Sequence, residues 1–220
     1  MFLEVIAKNI KDVIDINKTK ADRIELCKDL EVGGLTPDYE IIKQAAEISK
    51  LPINVIVRPT SRGFVYTKQE RKQIFNDIRF IKTTKANGIV FGALNKRNKI
   101  NTKLLKKVLK KKGNLKITFH KAFDELEDLK FNYILLDRLK IDTVLTAGGR
   151  NIDQGIDVIK ELIKLNKKTI ILIGGGVNLN NISYLSKLSN NIHIGRLARH
   201  EGQWIYKINT KLVNKIKASF

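Results

Sequence analysis

Leu115-Lys116-Ile117-Thr118-Phe119-His120-Lys121-Ala122-Phe123-Asp124 is an apolar run that ends in reactive side chains. Its first half reads as a buried strand. Alternate side chains of a strand share a face, so Thr118 and His120 fall on the same side. Asp124 follows at or just beyond the strand's end. Polar groups at the C-terminal ends of parallel strands are where open α/β sheets and α/β barrels bind ligands. A lone histidine there can equally be a satisfied cap on a sheet edge. What turns the reading toward a site is recurrence along the chain.

Seven further short apolar runs end in charged or glycine-rich segments. They are Phe2–Ile6, Asp22–Cys27, Ile53–Val57, Gly88–Phe91, Thr143–Leu145, Thr169–Ile173 and Ile192–Ile194. Between them lie stretches of helical spacing, such as Ile10, Val13 and Ile14, or Ile41, Ile42, Ala45 and Ala46. Eight strands alternating with helices predict a parallel sheet closed as a (β/α)8 barrel rather than an open doubly wound sheet. The 220 residues suit one barrel domain over 1–220, and no linker-like stretch interrupts them.

The chain is 43% hydrophobic, enough for a full core. No apolar run is long enough to span a bilayer, and the start of the chain lacks the pattern of a signal peptide. The expectation is a soluble intracellular protein without membrane partners. One cysteine, Cys27, excludes an intramolecular disulfide and a multi-thiolate zinc site. The formal net charge of +20 would attract nucleic acid non-specifically. Its densest block, Lys106 to Lys112, has no interleaved aromatics for base stacking, so it reads as a solvated helix face. A homo-oligomer is left open.

Reading the strand ends of such a barrel collects Glu4, Glu25 with Cys27, Arg58, Thr118, His120 with Asp124, Thr146 and His193. Glu4 and Glu25 occupy the polar slots of apolar strands, where a charge is costly unless paired. A structural ion pair with Arg23 or Arg58 is one expectation. Acid-base catalysis by Glu4, Glu25 and His120, with Asp124 orienting, is the other. Crowded carboxylates beside a histidine have their pKa values pushed apart, giving one acid and one base. Gly174, Gly175 and Gly176 follow the seventh strand, and Gly195-Arg196 follows the eighth. Loops there hold phosphate in many barrels, so these residues join Arg58, Thr118, Thr146 and His193 as candidate anion contacts. A small anionic ligand and a lyase- or isomerase-like proton transfer are the matching expectations.

Several of these segments together resemble the CutC family, named for copper homeostasis. They are Ala21-Asp22-Arg23-Ile24-Glu25-Leu26-Cys27, Gly33-Gly34-Leu35-Thr36-Pro37, Arg58-Pro59, Phe64-Val65-Tyr66 and Gly92-Ala93-Leu94. With them go Thr118 to Asp124, Val144-Leu145-Thr146 and Gly174-Gly175-Gly176-Val177. The resemblance runs from Leu3 to about His193 and implies a TIM-type barrel, a cytoplasmic location and a role in copper handling. The departures bear on the metal. Where the family's first strand reads Glu-Val-Cys, this chain has Glu4-Val5-Ile6, so Cys27 alone remains of the cysteine pair. Copper(I) prefers several soft sulfur ligands, and the only methionine is Met1. Cys27 with His120 or His193 is a weaker alternative. Thr60-Ser61-Arg62-Gly63-Phe64 replaces the family's Arg-Gly-Gly-Asp-Phe loop, Lys121 stands where arginine is usual, and the tail after His193 is shorter.

Overall fold

The eight apolar runs form eight parallel strands that close on one another in chain order, in a computed structural model that describes residues 1–219. The strands are β1 (Phe2–Ala7), β2 (Arg23–Leu26), β3 (Ile53–Ile56), β4 (Gly88–Val90), β5 (Lys116–Phe119), β6 (Thr143–Thr146), β7 (Ile170–Ile173) and β8 (Asn191–Ile194). Each is followed by a helix: α1 (Ile10–Ile16), α2 (Tyr39–Ile48), α3 (Lys68–Ile81), α4 (Thr102–Lys111), α5 (Leu129–Arg138), α6 (Ile152–Lys164), α7 (Ile182–Leu188) and α8 (Thr210–Ala218). The expected (β/α)8 barrel is therefore the observed fold.

Strand alternation builds two layers. Leu3, Val5, Ile24, Leu26, Val55, Ile89, Ile117, Phe119, Val144, Ile173, Ile192 and Ile194 face the helices and are buried. Between them, the inward positions carry polar groups: Glu4, Glu25, Asn54, Thr118, Thr143 and His193 are all buried. Side chains at Asn9, Thr67, Asn101, Asp128, Asn151 and Asn209 accept hydrogen bonds from the backbone at the starts of their helices. Such caps contribute about 1 kcal/mol each.

On α4 the basic block reads as expected. Leu104, Leu105 and Val108 are buried, while Lys103, Lys106, Lys107, Lys110 and Lys111 are exposed. No helix among the described residues is long and apolar enough to cross a membrane.

Three loops depart from simple strand-to-helix turns, the first through a 3-10 turn at Leu30–Val32 after β2. After β5 the chain enters a 3-10 turn at Lys121–Glu125. After β8 it makes two more, Arg196–Ala198 and His200–Gly202, before Asn209 starts the last helix. This final loop lays Trp204 over the open C-terminal end of the barrel. A side chain at Gly195 would collide with the Trp204 ring and with Ile6, so only glycine permits this approach.

Candidate functional site

Register alone assembles the charged centre. Glu4 on β1 is level with Arg23 on β2 and with His193 on β8. Inside the barrel the Arg23 guanidinium therefore meets one Glu4 oxygen. His193 Nδ1 lies 2.8 Å from the other, and His193 Nε2 lies 3.5 Å from Glu25 Oε2. Glu4, Glu25 and His193 are only 1%, 3% and 5% exposed.

Burial on its own would raise the Glu4 carboxyl, but Arg23 and the His193 hydrogen bond together hold it below its ordinary value. Burial pushes Glu25 up to about 7; the Glu4 charge adds to that rise and His193 opposes it. His193 is raised: its burial favours the neutral ring, yet the Glu4 hydrogen bond and the two carboxylates outweigh it. The result is a His193 whose cationic form is favoured, between a Glu4 whose ionised form is favoured and a Glu25 pushed up to about 7. This is an acid-base pair in the sense that proton transfer requires.

Above this centre the barrel mouth is a cleft of about 1030 Å³. Glu25, Cys27, Arg58, His120, His193, Gly175, Gly176 and Arg196 line it, with Ile6, Phe64, Lys121, Leu179 and Trp204. Arg58 is 6% exposed and makes no ion pair among the described residues. Its Nη1 donates to the carbonyls of Val32 and Gly34 at 3.0 Å each, and its guanidinium carbon lies 5.0 Å from the Phe64 ring centre. It thus clamps the Gly33-Gly34 loop and presents an uncompensated positive charge at the mouth.

Other expected site residues lie elsewhere. Thr118 is buried on the same side of β5 as His120 but lines a different cleft, beside Phe2, Arg23 and Thr143 at the strands' N-terminal ends. Two residues advance a strand by about 6.6 Å, enough to change layer. Asp124 does not hydrogen-bond His120. Its carboxylate accepts from the Thr146 hydroxyl and from the N–H groups of Ala147 and Gly149, and Lys121 lies 3.1 Å away. It ties the turn after β5 to the loop after β6. Thr146 is fully buried in that network and does not line the mouth. Gly174 lies against the His193 ring, whereas Gly175 and Gly176 reach the mouth with positive φ. Arg196 is exposed at the rim, 5.7 Å above the Trp204 ring.

Sequence reading missed the groups that arrive from far along the chain. Arg199 is 1% exposed and pairs with Asp12 at 2.6 Å, fixing the last loop against the first helix. Lys121 reaches Gly175 across the mouth. Lys121 follows His120 directly in the chain, and its reach to the loop after β7 is not legible from that position.

Copper(I) fits these residues poorly. Cys27 packs in an apolar cluster with Leu30, Ile56 and Val90, against Ile6 and Trp204. Burial and the Glu25 and Glu4 charges raise its thiol well above the ordinary value, which disfavours the thiolate a metal needs. Met1 precedes β1, at the opposite end of the barrel. Glu4, Glu25 and His193 do bring three potential ligand atoms within 4.8 Å of one another, but these are hard or borderline donors.

The model of the CutC family matches residues 1–196. The chain belongs to the CutC family. A family protein CutC of Klebsiella pneumoniae (strain 342) is 33% identical over 204 residues, covering 92% of this chain and 81% of its own. One of Pasteurella multocida (strain Pm70) is 35% identical over 189 residues, 85% and 78% of the two chains. The crystal structure of CutC from Streptococcus agalactiae, described as a copper homeostasis protein, superposes with a TM-score of 0.83 at 30% identity. It covers 89% of this chain and 98% of that one. CutC membership accounts for the resemblance of the barrel's polar strand ends to the family's motifs.

Proposed function

We propose that this CutC protein binds a small anionic metabolite at the barrel mouth and moves a proton on it, in the cytoplasm. The observation that carries this reading is Arg58: buried, without a carboxylate partner, and opening into the same cleft as the Glu25–His193 pair. A buried guanidinium is costly unless an anion completes it. Arg196 and Lys121 at the rim would add charge for a phosphorylated ligand, and the donor set supports copper(I) less well than it supports an anion.

The test is thermal denaturation against a panel of phosphorylated hydroxy acids, sugar phosphates and inorganic phosphate. A ligand held at 100 times its Kd stabilises by about 2.7 kcal/mol. The parent is expected to show such a shift with at least one panel member, and Arg58→Gln to lose most of it. A parent that no anion stabilises would sink the reading.

A copper(I) titration separates the family's assignment from this one. The parent and Cys27→Ser are expected to bind equally weakly. Tight binding that disappears in Cys27→Ser would favour copper handling instead.

A further inference from the structure

His120 is built differently from His193. It caps the 3-10 turn after β5, and its Nδ1 accepts the Ala122 N–H at 3.1 Å. An Nδ1 that accepts carries no proton, so the ring's single proton sits on Nε2. Protonating Nδ1 would set two donors against each other. Burial and the charge of Arg58 further oppose the cation and push the pKa down to about 3. His120 therefore takes up no proton at neutral pH, and the expected acid-base role passes to Glu25 and His193.

What remains is a donor without an acceptor. His120 Nε2 is buried and has no hydrogen-bond partner among the described residues, and the same holds for Arg58 Nε. The two groups flank one aromatic ring: the His120 and Phe64 ring centres are 4.8 Å apart, and the Arg58 guanidinium carbon is 5.0 Å from the Phe64 centre. Gly92 makes room for the imidazole, since a Cβ there would lie 2.5 Å from His120 Nδ1. Buried polar groups are normally satisfied, so two orphan donors on residues that line one cleft point to a ligand that brings oxygen acceptors.

We propose that His120 is a fixed neutral hydrogen-bond donor which, with Arg58, holds the oxygen of a carbonyl-bearing anionic substrate. The proposal rests on the mouth being an anion site and adds the substrate class. In such a compound a carbon next to the carbonyl loses its proton to a Glu25 carboxylate oxygen. The C–H pair becomes the C=C bond, and the carbonyl π pair moves onto oxygen, where His120 and Arg58 receive it. Return of the proton to carbon restores a carbonyl compound, so no oxidant, reductant or leaving group is required. Preorganised donors at a developing oxyanion are among the largest contributors to catalysis.

Oxalate, a planar dianion shaped like an enolate of a 2-oxo acid, is the probe, beside inorganic phosphate. Long-range proton–nitrogen spectra of ¹⁵N-histidine-labelled protein, assigned with His120→Gln, are recorded from pH 5 to 8. His120 is expected to remain neutral throughout with its proton on Nε2, and oxalate is expected to move that proton's resonance. His120→Ala is expected to weaken oxalate binding at least about tenfold, as loss of a hydrogen bond to a charged acceptor does, and His120→Gln, which keeps a donor, to recover most of it. Titration of His120 within that range, a proton on Nδ1, or unchanged oxalate affinity in His120→Ala would each overturn the proposal. Phosphate binding that depends on Arg58, without oxalate binding, would overturn it while leaving the anion site standing. Failure of both probes on the parent would remove the anion site itself.

Discussion

Replacing Glu4 by alanine is expected to lower the free energy of unfolding by about 3–5 kcal/mol, the usual effect of removing one partner from a buried ion pair. Glu4 is 1% exposed and sits between two cations, Arg23 and His193. Without it, His193 loses the hydrogen bond at Nδ1 and one of the two carboxylate charges that favour its protonated form. Arg23, whose side chain is 13% exposed, loses its only ion-pair partner among the described residues. Glu4→Gln keeps the shape and one acceptor oxygen, so its loss is expected to be smaller. Urea denaturation of the three proteins at one pH measures both. A loss below about 1 kcal/mol in Glu4→Ala, the range of exposed pairs, would show that water already reaches this centre.

The same centre shows how far the chain can be read unaided. Glu4 and Glu25 stand out because each interrupts an apolar strand, and strand alternation sends both inward. The ion pair with Arg23 follows from adjacent strands in register, which the expected barrel order already implies. The depth of Thr118 is not legible in the same way. Alternation gives the face of a side chain but not its depth, and a four-residue strand such as β5 reaches both ends of the barrel. Asp124 depends on where the strand stops. The chain turns at His120, so the carboxylate swings to the β6 loop instead of staying with the imidazole. For Arg58 a strand end suggests only the anion-facing role proposed above; its hold on the Gly33-Gly34 loop depends on a tertiary approach. Arg199 and Trp204 lie beyond local reading altogether. The partner of Arg199, Asp12, is 187 positions away, and no spacing rule connects them.

His120 and His193 sharpen the point. Both end apolar strands and look alike in the chain. One is held neutral by a backbone N–H two residues on; the other is held charged by Glu4, 189 positions away. Local hydrogen bonding decides the first and barrel closure the second.

Barrel closure also predicts a pH dependence. Glu25 has its pKa raised to about 7 in the folded chain, from 4.5. Between those values the folded state holds more protons on Glu25 than the unfolded state, so stability falls as pH rises. A difference of about 2.5 units corresponds to about 3 kcal/mol between pH 4.5 and pH 8. His193 acts in the same direction. Its folded pKa is raised, so its stabilisation is complete below about 6.5 and is lost as pH climbs through the folded value. Glu4 acts oppositely, but only in acid: its folded pKa is depressed, so its contribution is present above 4.5 and lost as pH falls through the folded value. From pH 5 to pH 8 the two falling contributions stand unopposed at this centre. Unfolding free energy from urea titrations at pH 5, 6.5 and 8 should therefore decline, by an amount of order 3 kcal/mol. Glu25→Gln removes the titrating carboxyl and the charge that helps raise His193. It is expected to flatten the decline and to be more stable than the parent at pH 8, with no such advantage at pH 5. Parallel pH curves for the two proteins would mean that Glu25 ionises as freely in the barrel as in water, and that the acid-base pair at the mouth is not poised near neutrality.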